Sequence, residues 1–113
     1  GRQLDSAPAS IYALPLIRKA VGKDFPLIFD SGIRSGGDIL KALALGANFV
    51  MLGRPLMYAV GADGAPGLRK ILDIIKEELS TSLGLVGLND IKQVSNSILS
   101  EDLFHKQRTT VDY

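Results

Sequence analysis

Apolar positions along the chain follow two different rhythms. Ile11, Leu14, Ile17 and Ala20 recur at three-residue steps, which predicts one face of a helix. Pro15 is expected in the first turn of that helix or at a kink in it. Gly22 stands where a C-terminal glycine ends it. Pro26-Leu27-Ile28-Phe29-Asp30 is a short unbroken apolar run closing on a carboxylate, and its length predicts a buried strand. Asn48-Phe49-Val50-Met51-Leu52 is a second run of this kind. Between the two, residues 31–37 form a glycine-rich turn, Ser35 is placed as an N-cap with Asp38 as its capping-box acid, and a helix is expected from Asp38 to Leu45, stopped by Gly46.

Strand, turn, helix and strand in so short a span make a βαβ unit, so the fold class is α/β. Parallel strands this apolar are normally covered on both faces, and two strands cannot provide that cover themselves. The pattern therefore implies more strands, in the same polypeptide or in a partner. Gly53-Arg54-Pro55 turns the chain into a short helix through Tyr58, with Pro55 at its first position. Residues 61–67 read as a loop. Leu68, Ile71, Leu72, Ile75, Leu79 and Leu83 then repeat at helical spacing, with Lys70, Asp73, Lys76 and Glu77 on the outer face and Gly84 at the end. A shorter helix is expected from Asn89, packing Ile91 and Val94. Residues 1–9 read as a loop, and the residues from about 100 to 113 as a polar tail of the same single domain.

Composition narrows the function classes. An apolar fraction of 46% with 22% charged residues belongs to ordinary globular chains, and a net charge of +1 gives no polyanion-binding surface for nucleic acid. No run approaches the roughly 18 apolar residues that cross a bilayer. Zero cysteines remove disulfides and thiolate chemistry, and fit a cytoplasmic protein. The opening Gly1-Arg2-Gln3, without Met, is read as the start of a fragment or processed product. No His, Asp and Glu set has metal-ligand spacing. His105, the single histidine, lies in the polar tail and is read as structural or solvent-exposed; Tyr12, Tyr58 and Tyr113 are read as packing or tail residues.

Candidate chemistry gathers at the two strand ends. Asp30-Ser31-Gly32-Ile33-Arg34-Ser35-Gly36-Gly37 follows the first strand, and Gly53-Arg54-Pro55 the second. Glycines let backbone amides reach a ligand without an intervening Cβ. The helix that follows each turn directs donors and a positive dipole toward the same region. Arg34 and Arg54 add two guanidinium groups able to grip phosphate oxygens. Together these describe a phosphate cradle, a feature that (β/α)8 barrels often carry after their seventh and eighth strands.

Asp30-Ser-Gly-Ile-Arg34, Lys41-Ala-Leu-Ala-Leu-Gly-Ala47 and Gly53-Arg-Pro55 resemble the phosphate region of the FMN-dependent 2-hydroxy-acid oxidases and dehydrogenases. Glycolate oxidase, lactate dehydrogenase and oxidase, and mandelate dehydrogenase belong to that family. Inosine-monophosphate dehydrogenases and type-2 isopentenyl-diphosphate isomerases look similar in this segment. Gly1-Arg2-Gln3-Leu4-Asp5 is the more specific match, to a His-Gly-Gly-Arg-Gln-Leu-Asp run after the family's sixth strand. The resemblance covers about residues 1–98.

The resemblance implies the C-terminal part of a (β/α)8 TIM barrel, strands 7 and 8 with flanking helices. It implies FMN as cofactor, with Asp30, Ser31, Gly32, Ile33 and Arg34 forming one phosphate-binding segment and Gly53 and Arg54 closing it. Ser31 stands where other members carry Gly and is expected still to offer its backbone N–H. Arg2 would bind the carboxylate of a 2-hydroxy acid, a task suited to its planar fork, while Asp5 would cap or order the loop. The family's catalytic histidine falls upstream of Gly1 and is not in this chain. The complete enzyme is expected to oxidise an L-2-hydroxy acid to the 2-keto acid and to pass electrons to oxygen, a quinone or a cytochrome. It is expected as a homo-tetramer, with membrane association compatible with the family. Two other readings are a different FMN- or phosphate-binding barrel of the isopentenyl-diphosphate isomerase kind, and a non-catalytic half-barrel.

Overall fold

The computed structural model describes residues 3–100. Its elements run α1 (Ser10–Val21), β1 (Ile28–Phe29), α2 (Gly36–Ala44), β2 (Phe49–Val50) and α3 (Arg54–Leu85), followed by two 3-10 turns at Ile91–Gln93 and Asn96–Ile98. The strands pair in parallel, Ile28 with Phe49 and Phe29 with Val50, as the βαβ pattern requires.

Helix α1 ends where its sequence predicts. Gly22 takes φ 79 and donates its N–H to the Arg18 carbonyl. Pro15 lies in the interior of α1 instead of its first turn. It therefore withholds the N–H that would reach the Ile11 carbonyl, and packing of Leu14 and Ile11 into the core supports the helix through that gap. Helix α2 begins two residues earlier than expected, because Gly36 and Gly37 join it behind an extended Ser35.

Two expectations are corrected. Residues 61–67 are not a seven-residue loop: two helical stretches of α3 meet within the segment at a kink, where Asp63 and Gly64 leave helical geometry. Gly64, at φ 53, makes the break, and Pro66 is tolerated because it falls in the first turn after it. Gly67 is buried there, since a Cβ would run into the Ala59 carbonyl oxygen across the kink. The expected helix from Asn89 is a 3-10 turn, Ile91–Gln93, started by Asp90, whose side chain accepts the Lys92 N–H at 2.9 Å. Ile91 is exposed, so no apolar face was available to extend that turn.

The core is one cluster around α2. Leu14, Phe29, Ile33, Ile39, Ala42, Ala47 and Ile75 are buried together, with Leu27, Leu43, Val50 and Ile71 packed against them. Helices thus cover one face of the strand pair. The other face is bare: Ile28 is 65% exposed, Phe49 71% and Met51 54%. The cover expected for an apolar parallel pair is present on one side only.

Candidate functional site

Both candidate turns leave the same end of the strand pair. Phe29 and Val50 are register partners, so the loop beginning at Asp30 and the loop ending at Gly53 start about one strand spacing apart, roughly 4.8 Å. The first loop is rooted by Ile33, whose side chain is 5% exposed within the core cluster. Its neighbours Gly32 and Arg34 are both exposed. Alternation of this kind sends one residue inward as an anchor and leaves the residues beside it at the surface. Gly32 adopts φ +88, and nothing lies within 4 Å of where its Cβ would be. The same open space surrounds Gly53.

Backbone amides in the first loop divide into committed and available donors. Ser31 N–H donates to Asp30 Oδ1 at 2.8 Å. Arg34 N–H donates to Asp38 Oδ2 at 3.1 Å, and Gly36 N–H donates to Glu78 Oε2 at 2.8 Å. Among the described residues, the amides of Gly32 and Ile33 have no acceptor. The expectation that Ser31 offers its N–H is therefore corrected: the neighbouring carboxylate has taken it. Asp30 accordingly acts on the loop's shape, holding the turn at its start. The capping box is also modified. Ser35 Oγ accepts the Asp38 N–H at 3.2 Å as expected, but the Asp38 carboxylate returns to the Arg34 amide, one residue before the N-cap.

Ser31 carries the one positive φ among the described non-glycine residues, 90°. An L-residue pays about 1–2 kcal/mol for left-handed backbone, which explains why glycine suits this position. The strain is held by the Asp30 contact and by Ser10 Oγ, which donates to the Ser31 carbonyl at 3.2 Å.

Arg34 and Arg54 are both exposed. Among the described residues, neither guanidinium group has a hydrogen bond or ion pair with the protein. Arg54 opens α3 directly after Gly53, with Pro55 in its first turn. The two cations, the helix start and the uncommitted Gly32 and Ile33 amides supply the donors that a phosphate dianion requires, and open space above both glycines supplies room for it. The residues present thus fit a phosphate-bearing cofactor. Arg2 and His105 lie outside the described residues, as does the tail from residue 101. No group of three or more metal-ligating side chains occurs among the described residues.

Glu78 and Ser10 were not singled out by sequence reasoning. Each acts on the loop through a backbone group, so no pairing of side-chain types announces it. The one available signal was helical periodicity, which places Glu78 one residue from the apolar Leu79.

Sequence comparison gives the family. A sequence model described as FMN-dependent dehydrogenase matches residues 1–101. The chain belongs to the FMN-dependent dehydrogenase family. Within it, a 2-hydroxyacid oxidase of Dictyostelium discoideum is 46% identical over 99 residues, 88% of this chain and 26% of that protein. An L-lactate dehydrogenase of Pseudomonas syringae pv. syringae is 48% identical over 99 residues, again 88% of this chain and 26% of the relative. Among solved structures, a mandelate oxidase variant holding a monooxide FMN adduct superposes with a TM-score of 0.76 at 43% identity, covering 80% of this chain and 29% of that one. The chain thus spans about a quarter of the length of the curated relatives it matches.

Proposed function

We propose that this chain supplies the FMN-phosphate site and the substrate-carboxylate arginine of an enzyme that oxidises an L-2-hydroxy acid to the 2-keto acid. The carrying observation is the pair of glycine turns that leave adjacent parallel strands at one end, each with an exposed arginine unpaired among the described residues. Membership of the FMN-dependent dehydrogenase family makes FMN the phosphate-bearing group to expect there.

In this reading β1 and β2 are strands 7 and 8 of a (β/α)8 barrel, the arrangement whose loops at this end form phosphate sites. Residues 1–113 then form one part of a single barrel domain. The bare face with Ile28, Phe49 and Met51 points to the barrel interior and is closed by the remaining strands. Gly32 and Ile33 offer amides to phosphate oxygens. Arg34 and Arg54 neutralise the dianion from two sides of the strand pair, and Ile33 keeps the loop seated while they do so. Asp30 and Ser31 fix the shape of the loop without touching the anion through the Ser31 N–H.

Arg2 holds the carboxylate of the hydroxy acid, which orients the substrate's C2 toward the cofactor and removes rotational freedom from the reacting pair. When bound, FMN supplies the two-electron acceptor for oxidation at C2. The proton-accepting histidine implied by the resemblance is not a residue of this chain. The final electron acceptor would be oxygen, a quinone or a cytochrome; the complete enzyme would be a cytoplasmic homo-oligomer, by resemblance a tetramer.

Flavin retention tests the assignment. Replacing Arg34 and Arg54 together by Ala removes two charge-assisted contacts worth about 1.5–3 kcal/mol each, so FMN affinity should fall by about a hundredfold or more. Retention equal to that of the unaltered protein would overturn the phosphate role.

A further inference from the structure

We propose that Glu78 is a positioning residue for the FMN-phosphate loop, acting from α3 through the Gly36 amide. The inference rests on the phosphate reading given above and deepens it. A loop that must present two bare amides to an anion needs both of its ends fixed. The near end is held by Asp30 on the Ser31 N–H and by Ser10 on the Ser31 carbonyl. The middle is seated by buried Ile33. The far end, where the loop becomes α2, is tied by Glu78 Oε2, which accepts the Gly36 N–H at 2.8 Å across 42 residues of chain.

The approach of α3 makes this tie specific. A Cβ at Gly36 would collide with the Leu79 backbone nitrogen and the Glu78 carbonyl carbon. Glycine at this position thus lets the α3 backbone press against the first residue of α2, and that contact brings the Glu78 carboxylate to the Gly36 amide. Buried Ile75, on the same helix, holds α3 in register with the core. Position along α3 is thereby translated into the position of the phosphate loop.

A second consequence concerns which donors remain. Three amides around the start of α2 are satisfied internally: Arg34 by Asp38, Gly36 by Glu78, and Asp38 by Ser35 Oγ. Among the described residues, the amides of Gly32, Ile33, Gly53 and Arg54 and the two guanidinium groups have no acceptor within the protein. Glu78 thus takes the first amide of α2 for itself, which removes that one donor from an incoming phosphate.

The discriminating measurement is the affinity of the flavin-stripped full protein for FMN and, separately, for riboflavin, which lacks the phosphate. A residue that only supports overall folding shifts both affinities together; one that places the phosphate loop shifts FMN alone. Glu78→Ala should weaken FMN binding by about tenfold and riboflavin binding by less than about twofold. Glu78→Gln keeps an oxygen acceptor of the same reach and should return FMN affinity to within about twofold of the original. If Glu78→Ala does not fold, Glu78→Asp, whose shorter side chain falls short of Gly36, should give the same FMN-selective loss at about threefold. An unchanged FMN-to-riboflavin ratio in the Ala or Asp variant, or no recovery with Gln, overturns the inference. Arg34→Ala in the same assay separates the two levels. If it leaves the ratio unchanged, the phosphate reading itself fails; if it moves the ratio while the Glu78 variants do not, only the role of Glu78 is lost.

Discussion

At the N-terminal end of the strand pair, Arg18 commits its whole guanidinium group to the protein, whereas at the C-terminal end Arg34 and Arg54 commit neither of theirs to any described residue. Arg18 Nε and Nη2 both donate to the Gly46 carbonyl, at 2.9 and 2.6 Å, and Nη2 also donates to Asn48 Oδ1 at 2.7 Å. Nη1 donates to the carbonyls of Gly22 and Phe25, each at 2.7 Å. Asn48 Oδ1 in turn accepts the Leu27 N–H at 2.8 Å. One side chain thus ties the end of α1, the approach to β1 and the turn from α2 into β2. Cations of the same type, two strand residues away, are left facing solvent. On the phosphate reading, the contrast separates a structural arginine from a binding one: carbonyls surround the first, and the second stands in a turn with an open glycine. It also matches the division of labour in α/β barrels, with stability at one end of the strands and ligand chemistry at the other.

The sharpest way to break the contrast is Arg18→Ala. It strands several carbonyls that have no other donor, each such loss being about 1–2 kcal/mol where water can partly replace it, so the change should destabilise the fold by about 3 kcal/mol. That corresponds to a fall in Tm of roughly 10 °C or more for a chain of this size. Thermal unfolding monitored by circular dichroism reads it directly. A small Tm change with weakened FMN binding would reverse the roles assigned to the two ends.

Gly46 tests the same end from the opposite side. Its φ of +107 disfavours any Cβ, and a Cβ would stand 2.8 Å from Arg18 Cγ. Gly46→Ala should therefore cost about 1–2 kcal/mol, less than removing Arg18 because the flexible arginine can withdraw. Chemical denaturation should show a lower midpoint at an unchanged slope. A variant as stable as the parent would mean that the Arg18 cluster tolerates far more movement than its hydrogen bonds imply.

How much of this was legible follows from the kind of group each contact uses. The strands were readable, because Leu27 to Phe29 and Phe49 to Leu52 are unbroken apolar runs between turn formers. Helix α2 was readable from Ser35, whose side chain caps at the known spacing, while Asp38 bonds one residue further out than that spacing predicts. The placement of both glycine- and arginine-bearing turns at one end of the strand pair was readable from their position just past the strand ends. Arg18 was not, since its partners are backbone carbonyls, which every sequence possesses. Glu78 was hidden for the same reason, its partner being an amide 42 residues away. Residues 61–67 were misread because Gly61, Gly64, Pro66 and Gly67 resemble a loop by composition. Their actual work is one sharp break at Asp63 and Gly64 and one close helix contact at Gly67.

At the open end, Arg34→Lys separates charge from shape. Lysine keeps the positive charge but loses the planar fork that meets two phosphate oxygens at once. FMN affinity should fall by about fivefold, well short of the loss on removing both arginines, while Tm stays within about 1 °C because the parent guanidinium bonds none of the described residues. Isothermal titration with FMN and a melting curve of the apo protein supply the two numbers. A drop in Tm comparable to that of Arg18→Ala would show that Arg34 is structural after all.

The smallest effect concerns strain stored beside the binding loop. Ser31 at φ 90 bears about 1–2 kcal/mol that glycine would not, and glycine adds about 0.5–1 kcal/mol of freedom to the unfolded chain. The difference favours Ser31→Gly by about 0.5 kcal/mol, a rise in Tm of a few degrees. FMN affinity should not change, since the Ser31 amide is already given to Asp30 and the amides of Gly32 and Ile33 keep their places. A stabilised variant with unaltered affinity would make the serine a tolerated cost at the open end. A variant that melts higher but binds FMN more weakly would instead make the strain part of how the loop is held ready for its anion, and the open end would then resemble the closed one in being conformationally fixed, though by backbone tension in place of a saturated guanidinium.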